Sequence, residues 1–397
     1  MKSSKKLTVA LTAGLMMQLS LMAAETAKVT DWLRVSNVLS LEYDDNIYED
    51  SVDPQDSFKI NESVELGVSY ERDASYLTLD YSPTFVWWND REPDDNDLHH
   101  SFDATAGHEF SPRVSVAVKN LFRIAQQPEE VSRGTVVRDN GDYMYNESSA
   151  SADVLVLPRT HLVLAGRYTM IDYDEEPISE TDDRGISAGG ATVRQQITDL
   201  SNVILDYRHE AIGYDFQEAA DLRDYDSDFI GIGYEQMAAN LIGIFRAGYQ
   251  STTYSNDELE DNSEPYGDVT LTYTPSPRTR FSLGAAYSML ESSIGDYASQ
   301  NRTVFSASIY QDITAKIGLQ VGGSYSLGEY DEENKVVEDP STPAGGDDEV
   351  QQAFARLNYK VNARNAIELN YSYYDLTSDL QGEFDRNRVS LGWRLSL

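Results

Sequence analysis

Residues 388–397 read RVSLGWRLSL and alternate between polar and apolar side chains along their whole length. The apolar positions are 389, 391, 393, 395 and 397, and arginine, serine and glycine stand between them. Successive side chains of a β-strand point to opposite faces, so a period of two indicates a strand. The stretch therefore predicts a strand with one apolar and one polar face.

The same pattern recurs along the chain. Leu33, Leu39 and Leu41 alternate with Arg34 and Ser40, and comparable runs continue to the last strand. Eight short turn-like connections alternate with nine long acidic ones, of which the last runs over residues 375–386. Seventeen connections join 18 strands, with both chain ends on the short-turn side.

This layout predicts an all-β fold, a transmembrane antiparallel up-and-down β-barrel of 18 strands with short periplasmic turns and long acidic extracellular loops. The sheet must close, because lipid offers no water to satisfy the polar groups of an open edge. An error in the register of the strands would make the count 16. A soluble array such as a propeller would bury both faces of many strands, whereas here one face is polar throughout.

Composition excludes several other classes of protein. The 397 residues contain 31 Lys and Arg, 67 Asp and Glu, 26 Tyr and no Cys, and the formal net charge is −36. The mean hydropathy of −0.48 argues against a bundle of membrane-spanning helices. Without cysteine there is no disulfide scaffold, and the negative charge repels nucleic acid.

The first residues predict an export signal. Lysines at 2, 5 and 6 precede an uncharged apolar run over 7–22, which is followed by Ala23, Ala24 and Glu25. This order is typical of a secretory signal peptide, and the run is short for a spanning helix, although a membrane anchor is the alternative. We expect a signal peptide over 1–24, a periplasmic stub over 25–31 and an outer-membrane barrel over 32–397.

Aromatic residues repeat just before the short turns. Their position predicts a girdle at the periplasmic membrane interface. The residues of this predicted girdle are Tyr70, Phe110, Tyr234, Tyr273, Tyr310 and Tyr359.

Three short motifs give the chain a family resemblance. They are LEYDDNIY at 41–48, Ser-Pro-Arg at 111–113 and Ser-Pro-Arg at 276–278. With the signal, they resemble the outer-membrane β-barrel porin family of Gram-negative bacteria, in particular the group associated with exopolysaccharide export. The resemblance implies an outer-membrane location and a pore, and it supplies neither a substrate nor functional residues.

Basic residues on the polar face form a predicted ladder in the lumen. Guanidinium groups pair well with carboxylate and phosphate, so such a ladder would guide an anion. The alternative is that these residues pair with acidic residues of the wall. The ladder comprises Arg34, Lys119, Arg123, Arg167, Arg208, Arg246, Arg302, Lys316, Arg356, Arg388 and Arg394.

Acidic residues concentrate in the long loops. One interpretation is solvation beside a lipopolysaccharide surface; the other is binding of Ca²⁺ or Mg²⁺, which prefer oxygen ligands. No complete EF-hand loop is present, and we expect no other cofactor. The candidate cation clusters are Asp44 and Asp45, then Asp174, Glu175 and Glu176, and finally Asp347, Asp348 and Glu349.

Catalysis finds little support in the sequence. His99 and His100 stand near Asp97, but the motifs of serine hydrolases, zinc peptidases and phosphate-binding loops are missing. We therefore expect that the protein is not an enzyme.

Two functions remain open. The first is an outer-membrane pore for hydrophilic solutes, including export of an anionic exopolysaccharide. The alternative is a structural or adhesive surface barrel whose acidic loops bind cations or partners. The expected partners are outer-membrane lipid and lipopolysaccharide, the barrel-insertion machinery and components of polysaccharide export, and nucleic acid is not among them.

Overall fold

The computed structural model describes residues 32–91, 95–126, 130–132, 135–136, 142–292, 294–336, 343–380 and 382–397. The predicted signal peptide and periplasmic stub lie outside these residues. In chain order the strands are β1 (Leu33–Asp44), β2 (Ser57–Arg72), β3 (Ser75–Trp88), β4 (Asn96–Ser111), β5 (Val114–Ala125), β6 (Glu130–Ser132), β7 (Thr135–Val136), β8 (Tyr143–Leu157), β9 (Thr160–Tyr173), β10 (Arg184–Thr198), β11 (Ser201–Tyr214), β12 (Tyr225–Ala238), β13 (Leu241–Tyr254), β14 (Asn262–Ser276), β15 (Thr279–Glu291), β16 (Ser299–Asp312), β17 (Ile317–Tyr330), β18 (Gly346–Lys360), β19 (Asn365–Ser378) and β20 (Gly382–Ser396). Helix α1 (Glu176–Asp182) lies between β9 and β10, helix α2 (Gln217–Arg223) lies between β11 and β12, and a 3-10 turn covers Glu332–Asn334.

Eighteen of these strands form one closed antiparallel sheet, and β6 and β7 form a separate hairpin. Each barrel strand pairs with its neighbours in the chain, with β5 pairing to β8. The ring closes where β1 pairs with β20, from Ser36 opposite Ser396 to Asp44 opposite Arg388. The prediction of an 18-stranded barrel is confirmed and the alternative of 16 strands is wrong. None of the helices in the described ranges is long and apolar enough to cross a bilayer.

The two ends of the barrel differ as predicted. At one end, eight connections of two to four residues join the strands; this is the short-turn end. The other end carries the longer loops, but the predicted loop over 375–386 is wrong. Strand β19 continues to Ser378 and β20 begins at Gly382, because inward-facing apolar side chains such as Leu376 keep the alternation going through this acidic stretch.

The outer face of the wall is apolar. Leu39, Ile232 and Leu391 are 44%, 62% and 57% exposed, and each alternates with an inward polar or small residue. The predicted girdle residues point outward except Tyr310, for which the prediction is wrong. The face on which Tyr310 lies is set by the alternation of β16, in which Phe305 points outward and residues at even numbers point inward. Its closeness to the turn does not determine this face. Tyr310 instead contacts Arg280 and donates to Asp312 on the inner side.

The expectation that the inner face is polar throughout is also wrong. Near the long-loop end of β10–β13, inward positions are apolar or aromatic, and they form one buried cluster with residues of the loops. Ala219 of α2 and Ala298 of the β15–β16 connection belong to this cluster. We call the loops that hold α1 and α2, together with the described part of 292–298, the lid. Its apolar contacts place it inside the mouth of the barrel: Ala219 and Ala298 pack against β10–β13, and Ile178 of α1 packs against the end of β9 and its neighbours β8 and β5.

Candidate functional site

The inner wall is a network of ion pairs that join neighbouring strands or reach across one intervening strand. Arg394 on β20 bonds Glu368 on β19 and reaches Glu65 on β2, which spans the seam between the two chain ends. Such reach is only available on the concave side of the sheet, which identifies the lumen face. The pairs along the wall include Arg34–Asp80 (2.7 Å), Lys59–Glu42 (2.9 Å), Arg123–Asp103 (2.9 Å), Arg167–Glu210 (2.6 Å), Arg194–Glu235 (2.9 Å) and Arg394–Glu368 (2.6 Å).

Ten of the eleven predicted ladder residues lie on this lumen face. Lys316 is the exception, because it stands in the turn between β16 and β17 and donates to the carbonyl of Val361. Five members, Arg34, Arg123, Arg167, Arg246 and Arg394, have a carboxylate within 4.0 Å. The positive charge of these five is therefore neutralised locally, and the role of the ladder in guiding anions stays a prediction.

Two ladder arginines line a cavity without such a partner. Among the described residues, no carboxylate lies within 4.0 Å of Arg356 or Arg388. The guanidinium of Arg356 lies 5.0 Å from the centre of the Phe354 ring, which favours a cation. Both arginines face a cavity of about 540 Å³ between β1–β4 and β18–β20, where Asn370 and Ser390 add polar groups.

Every carboxylate lining this cavity belongs to an ion pair. Asp80, Asp103 and Glu42 pair with Arg34, Arg123 and Lys59. Glu65 and Glu368 share Arg394. Among the described residues, Arg356 and Arg388 are therefore the lining cations without a close carboxylate, and the lining together with its partners carries one net positive charge.

The lid lies on the opposite side of the ring, over β9–β13. Beyond Tyr287, strand β15 separates from β14 while it stays paired with β16 as far as Glu291. The freed end leans over the lumen, where Gln250 donates from β13 to the carbonyl of Met289 at 3.1 Å. Segment 292–298 then joins the next loop through a bond from the Ala298 amide to the Asn334 carbonyl.

Both lid helices are attached to the wall in the same way. The tyrosine that ends the preceding strand donates its backbone N–H to the aspartate that follows the helix. The distances are 2.7 Å for Tyr173 to Asp183 and 2.8 Å for Tyr214 to Asp224. Burial raises the pKa of Asp183 to about 6, with Asp172 and Asp215 adding to the rise and the Tyr173 N–H opposing it.

The α1 loop should therefore loosen as pH rises. Because the pKa of Asp183 is higher in the folded loop than in the unfolded chain, its contribution is complete below about pH 4 and is lost as pH rises through 6. We expect amide exchange over 176–182 to speed up by about tenfold between pH 5 and pH 8, after correction for intrinsic rates. Asp183→Asn keeps an acceptor for the Tyr173 N–H and should abolish this difference; an equal pH response in the variant would contradict the assignment.

The fold separates the acidic side chains of the candidate cation clusters and gives several of them partners within the protein. Asp44 is fully buried and accepts from Arg386, while Asp45 accepts from Asn387. Strand alternation turns Asp348 inward, to Tyr330 and Ser378, and leaves Asp347 and Glu349 outside. Within the described part of the chain, no three His, Cys, Asp or Glu side chains stand where they could hold a metal ion. Binding of Ca²⁺ or Mg²⁺, at these clusters or at 174–176, stays a prediction.

The histidine pair is divided as well. His99 points into the lumen, whereas His100 points outward and bonds the hydroxyl of Tyr81 at 2.9 Å. The two imidazoles therefore cannot act together on one substrate.

Sequence reasoning missed two important arginines. Arg194 pairs with Glu235 and Asp153 on the wall, and the alternation with outward Val193 could have revealed it. Arg223 lies in the lid, within a stretch interpreted only as a solvated acidic loop. The sequence QEAADLR at 217–223 is rich in good helix formers and was the available signal.

The chain was compared with protein families, curated proteins and solved structures. A family model described as "Putative beta-barrel porin 2" matches residues 32–397. No curated protein matches the sequence. Solved structures with similar folds include the outer membrane protein OpdK of Pseudomonas aeruginosa (13% identity, 92% of this chain and 99% of that chain, TM-score 0.49). Others are Pseudomonas aeruginosa OccK2 in complex with glucuronate (10%, 92% and 98%, 0.47) and a BenF-like porin from Pseudomonas fluorescens (12%, 92% and 99%, 0.48).

Proposed function

The chain belongs to the beta-barrel porin 2 family of outer-membrane barrels, and we propose that its lumen is a passive pore for small hydrophilic solutes that carry a carboxylate. One observation carries this proposal. In the cavity between β18–β20 and β1–β4, every lining carboxylate is paired, while Arg356 and Arg388 have no close carboxylate in the part of the chain that the structure describes. A solute entering this cavity therefore meets two arginines that no described carboxylate neutralises at close range.

The setting strengthens the attraction between these arginines and an anion. Charges at the wall of a narrow lumen act through a lower effective dielectric than charges in bulk water. Asn370, Ser372 and Ser390 lie beside Arg388 and can exchange hydrogen bonds with the hydroxyl groups of a solute. The acidic outer loops oppose the entry of anions at low salt, and this opposition weakens as salt screens them.

The cavity size favours a small solute. About 540 Å³ lies in the range of sites for small molecules. A polysaccharide needs an uninterrupted tube, whereas the lid occupies the β9–β13 side of this lumen. Export of an anionic exopolysaccharide, which the sequence left open, is not supported. The partners expected from the sequence, including lipopolysaccharide and the insertion machinery, remain proposals.

The proposal is tested by the reversal potential of single channels under a gradient of KCl. We expect Arg356→Gln combined with Arg388→Gln to lower the anion-to-cation permeability ratio by about threefold or more, because the unpaired charge is lost. The matched control is Arg113→Gln, which removes one positive charge at an exposed short turn. An unchanged ratio in the double variant would contradict the role of the two arginines, and a barrel that does not conduct would contradict the pore itself.

A further inference from the structure

Arg223 lies at the centre of the lid and connects all three of its segments. It belongs to α2 and is 2% exposed. One terminal nitrogen donates to the carbonyl of Thr181 in α1 at 2.9 Å, and the other donates to the carbonyl of Ser292 at 3.0 Å. Its guanidinium lies 4.4 Å from the centre of the Tyr214 ring on the wall. A single side chain thus joins two neighbouring loops and a strand of the barrel.

An arginine is suited to this position. Its planar fork presents donors in fixed directions, so it can serve two carbonyl groups while its flat face stacks on an aromatic ring. The Thr181 carbonyl belongs to the last turn of α1, where carbonyl groups have no partner inside the helix. Asp182, 3.5 Å away, adds an ionic contact. Lysine has the charge but lacks the flat fork.

The lid helices depend on such contacts for their position. Each has seven residues, which is too short for an isolated helix to be stable in water. Their N-cap residues, Glu175 and Phe216, make no side-chain capping bond. What keeps the helices in the mouth is therefore their tertiary attachment, which consists of Arg223, the two bonds between tyrosine and aspartate, and the apolar cluster around Ala219.

We propose that Arg223 is the positioning residue that holds the lid over the β9–β13 side of the lumen and thereby sets the size limit of the pore. The inference rests on the proposed function, because a size limit requires a conducting lumen. With the lid in place, solutes are excluded from that side of the lumen and pass on the side that holds the cavity between β18–β20 and β1–β4. Without the two hydrogen bonds of Arg223 and its contacts with Asp182 and Tyr214, the loops separate and the open cross-section grows.

The test compares Arg223→Ala with the wild type, both refolded and inserted into planar bilayers and liposomes. We expect single-channel conductance to rise about 1.5-fold or more, and liposome swelling to admit larger neutral sugars. Amide exchange over 176–182 and 217–223 should speed up by about tenfold, which reports on the lid independently of conduction. Arg223→Lys keeps the charge but not the flat fork, and it should show smaller changes of the same kind. Arg278→Ala removes an arginine from a short turn and should give the wild-type values.

The possible results distinguish failure of the lid proposal from failure of the proposed pore. If exchange in the lid rises but conductance and the sugar limit stay the same, the lid does not set the size limit. If exchange does not change, Arg223 does not hold the lid. A wild-type barrel without conductance would overturn the proposed function and with it the size limit. Should Arg223→Ala fail to fold, Ala219→Glu disrupts the same lid from its apolar side, and a wild-type size limit in that variant would overturn the proposal.

Discussion

Arg386→Met should lower the free energy of unfolding of the barrel by about 3–5 kcal/mol, the largest loss that we expect from one side chain. Arg386 is 3% exposed and Asp44 is fully buried, and their bidentate contact joins the last strand to the first. Glu49 adds a second carboxylate at 2.9 Å. Removing the guanidinium leaves the Asp44 charge without its partner in a place that water does not reach.

The double variant Arg386→Met with Asp44→Asn provides the control. It removes both charges, so it should recover a substantial part of the stability that the single variant loses. Urea titration in detergent measures the free energy of unfolding of the single and the double variant. The change in electrophoretic mobility on heating is a second measure of folding. If the single and double variants are equally unstable, the loss comes from packing and not from a buried unpaired charge.

Gly248→Ala is the second substitution with a large expected effect. A Cβ at this position would lie 2.0 Å from the backbone oxygen of Ile230 and 2.7 Å from Gly231. Since backbone atoms of the neighbouring strand cannot rotate away, the pairing of β12 with β13 must shift. We expect a loss of about 3 kcal/mol, at the upper end for overpacking. Tyr266, which lies across both glycines, should be displaced as well.

Gly189→Ala is the matched control, because a Cβ at this position meets nothing within 4 Å. Both variants add one methyl group to a strand glycine and should be compared in the same urea titration, with the fluorescence of the aromatic residues as the signal. Equal stability of the two would show that the wall tolerates the extra volume at Gly248.

The fold could be predicted because a barrel in lipid follows one simple rule. Alternation of the kind seen at 388–397 specifies two faces, and short turns between such runs specify antiparallel neighbours. The prediction failed at 375–386, where the acidic residues were interpreted as a loop. Asp375 and Asp385 lie opposite each other in paired strands, since the wall continues beyond the apolar band into water.

Of the site, the sequence predicted only the face of the sheet on which each side chain lies. Parity placed Arg356 and Arg388 on the lumen face, but it could not tell them from Arg394, which two carboxylates hold. That difference depends on which strands meet across the seam, and hence on the closure of the whole ring. The lid was hidden for another reason: Arg223 acts through the backbone carbonyl groups of Thr181 and Ser292, and such acceptors leave no trace in residue type.

The meeting of the first and last strands has a consequence for engineering. The amide of Leu397 donates to the carbonyl of Val35 at 3.0 Å, so a short linker could join the end of β20 to the start of β1 at the short-turn end. Apart from that junction, neighbouring strands of the ring follow one another along the chain, with one small hairpin set aside. A circular permutant opened at a two-residue turn such as 199–200 would therefore keep every interstrand register while exchanging which hairpin is synthesised first. Order of synthesis and final architecture could then be varied separately in one barrel.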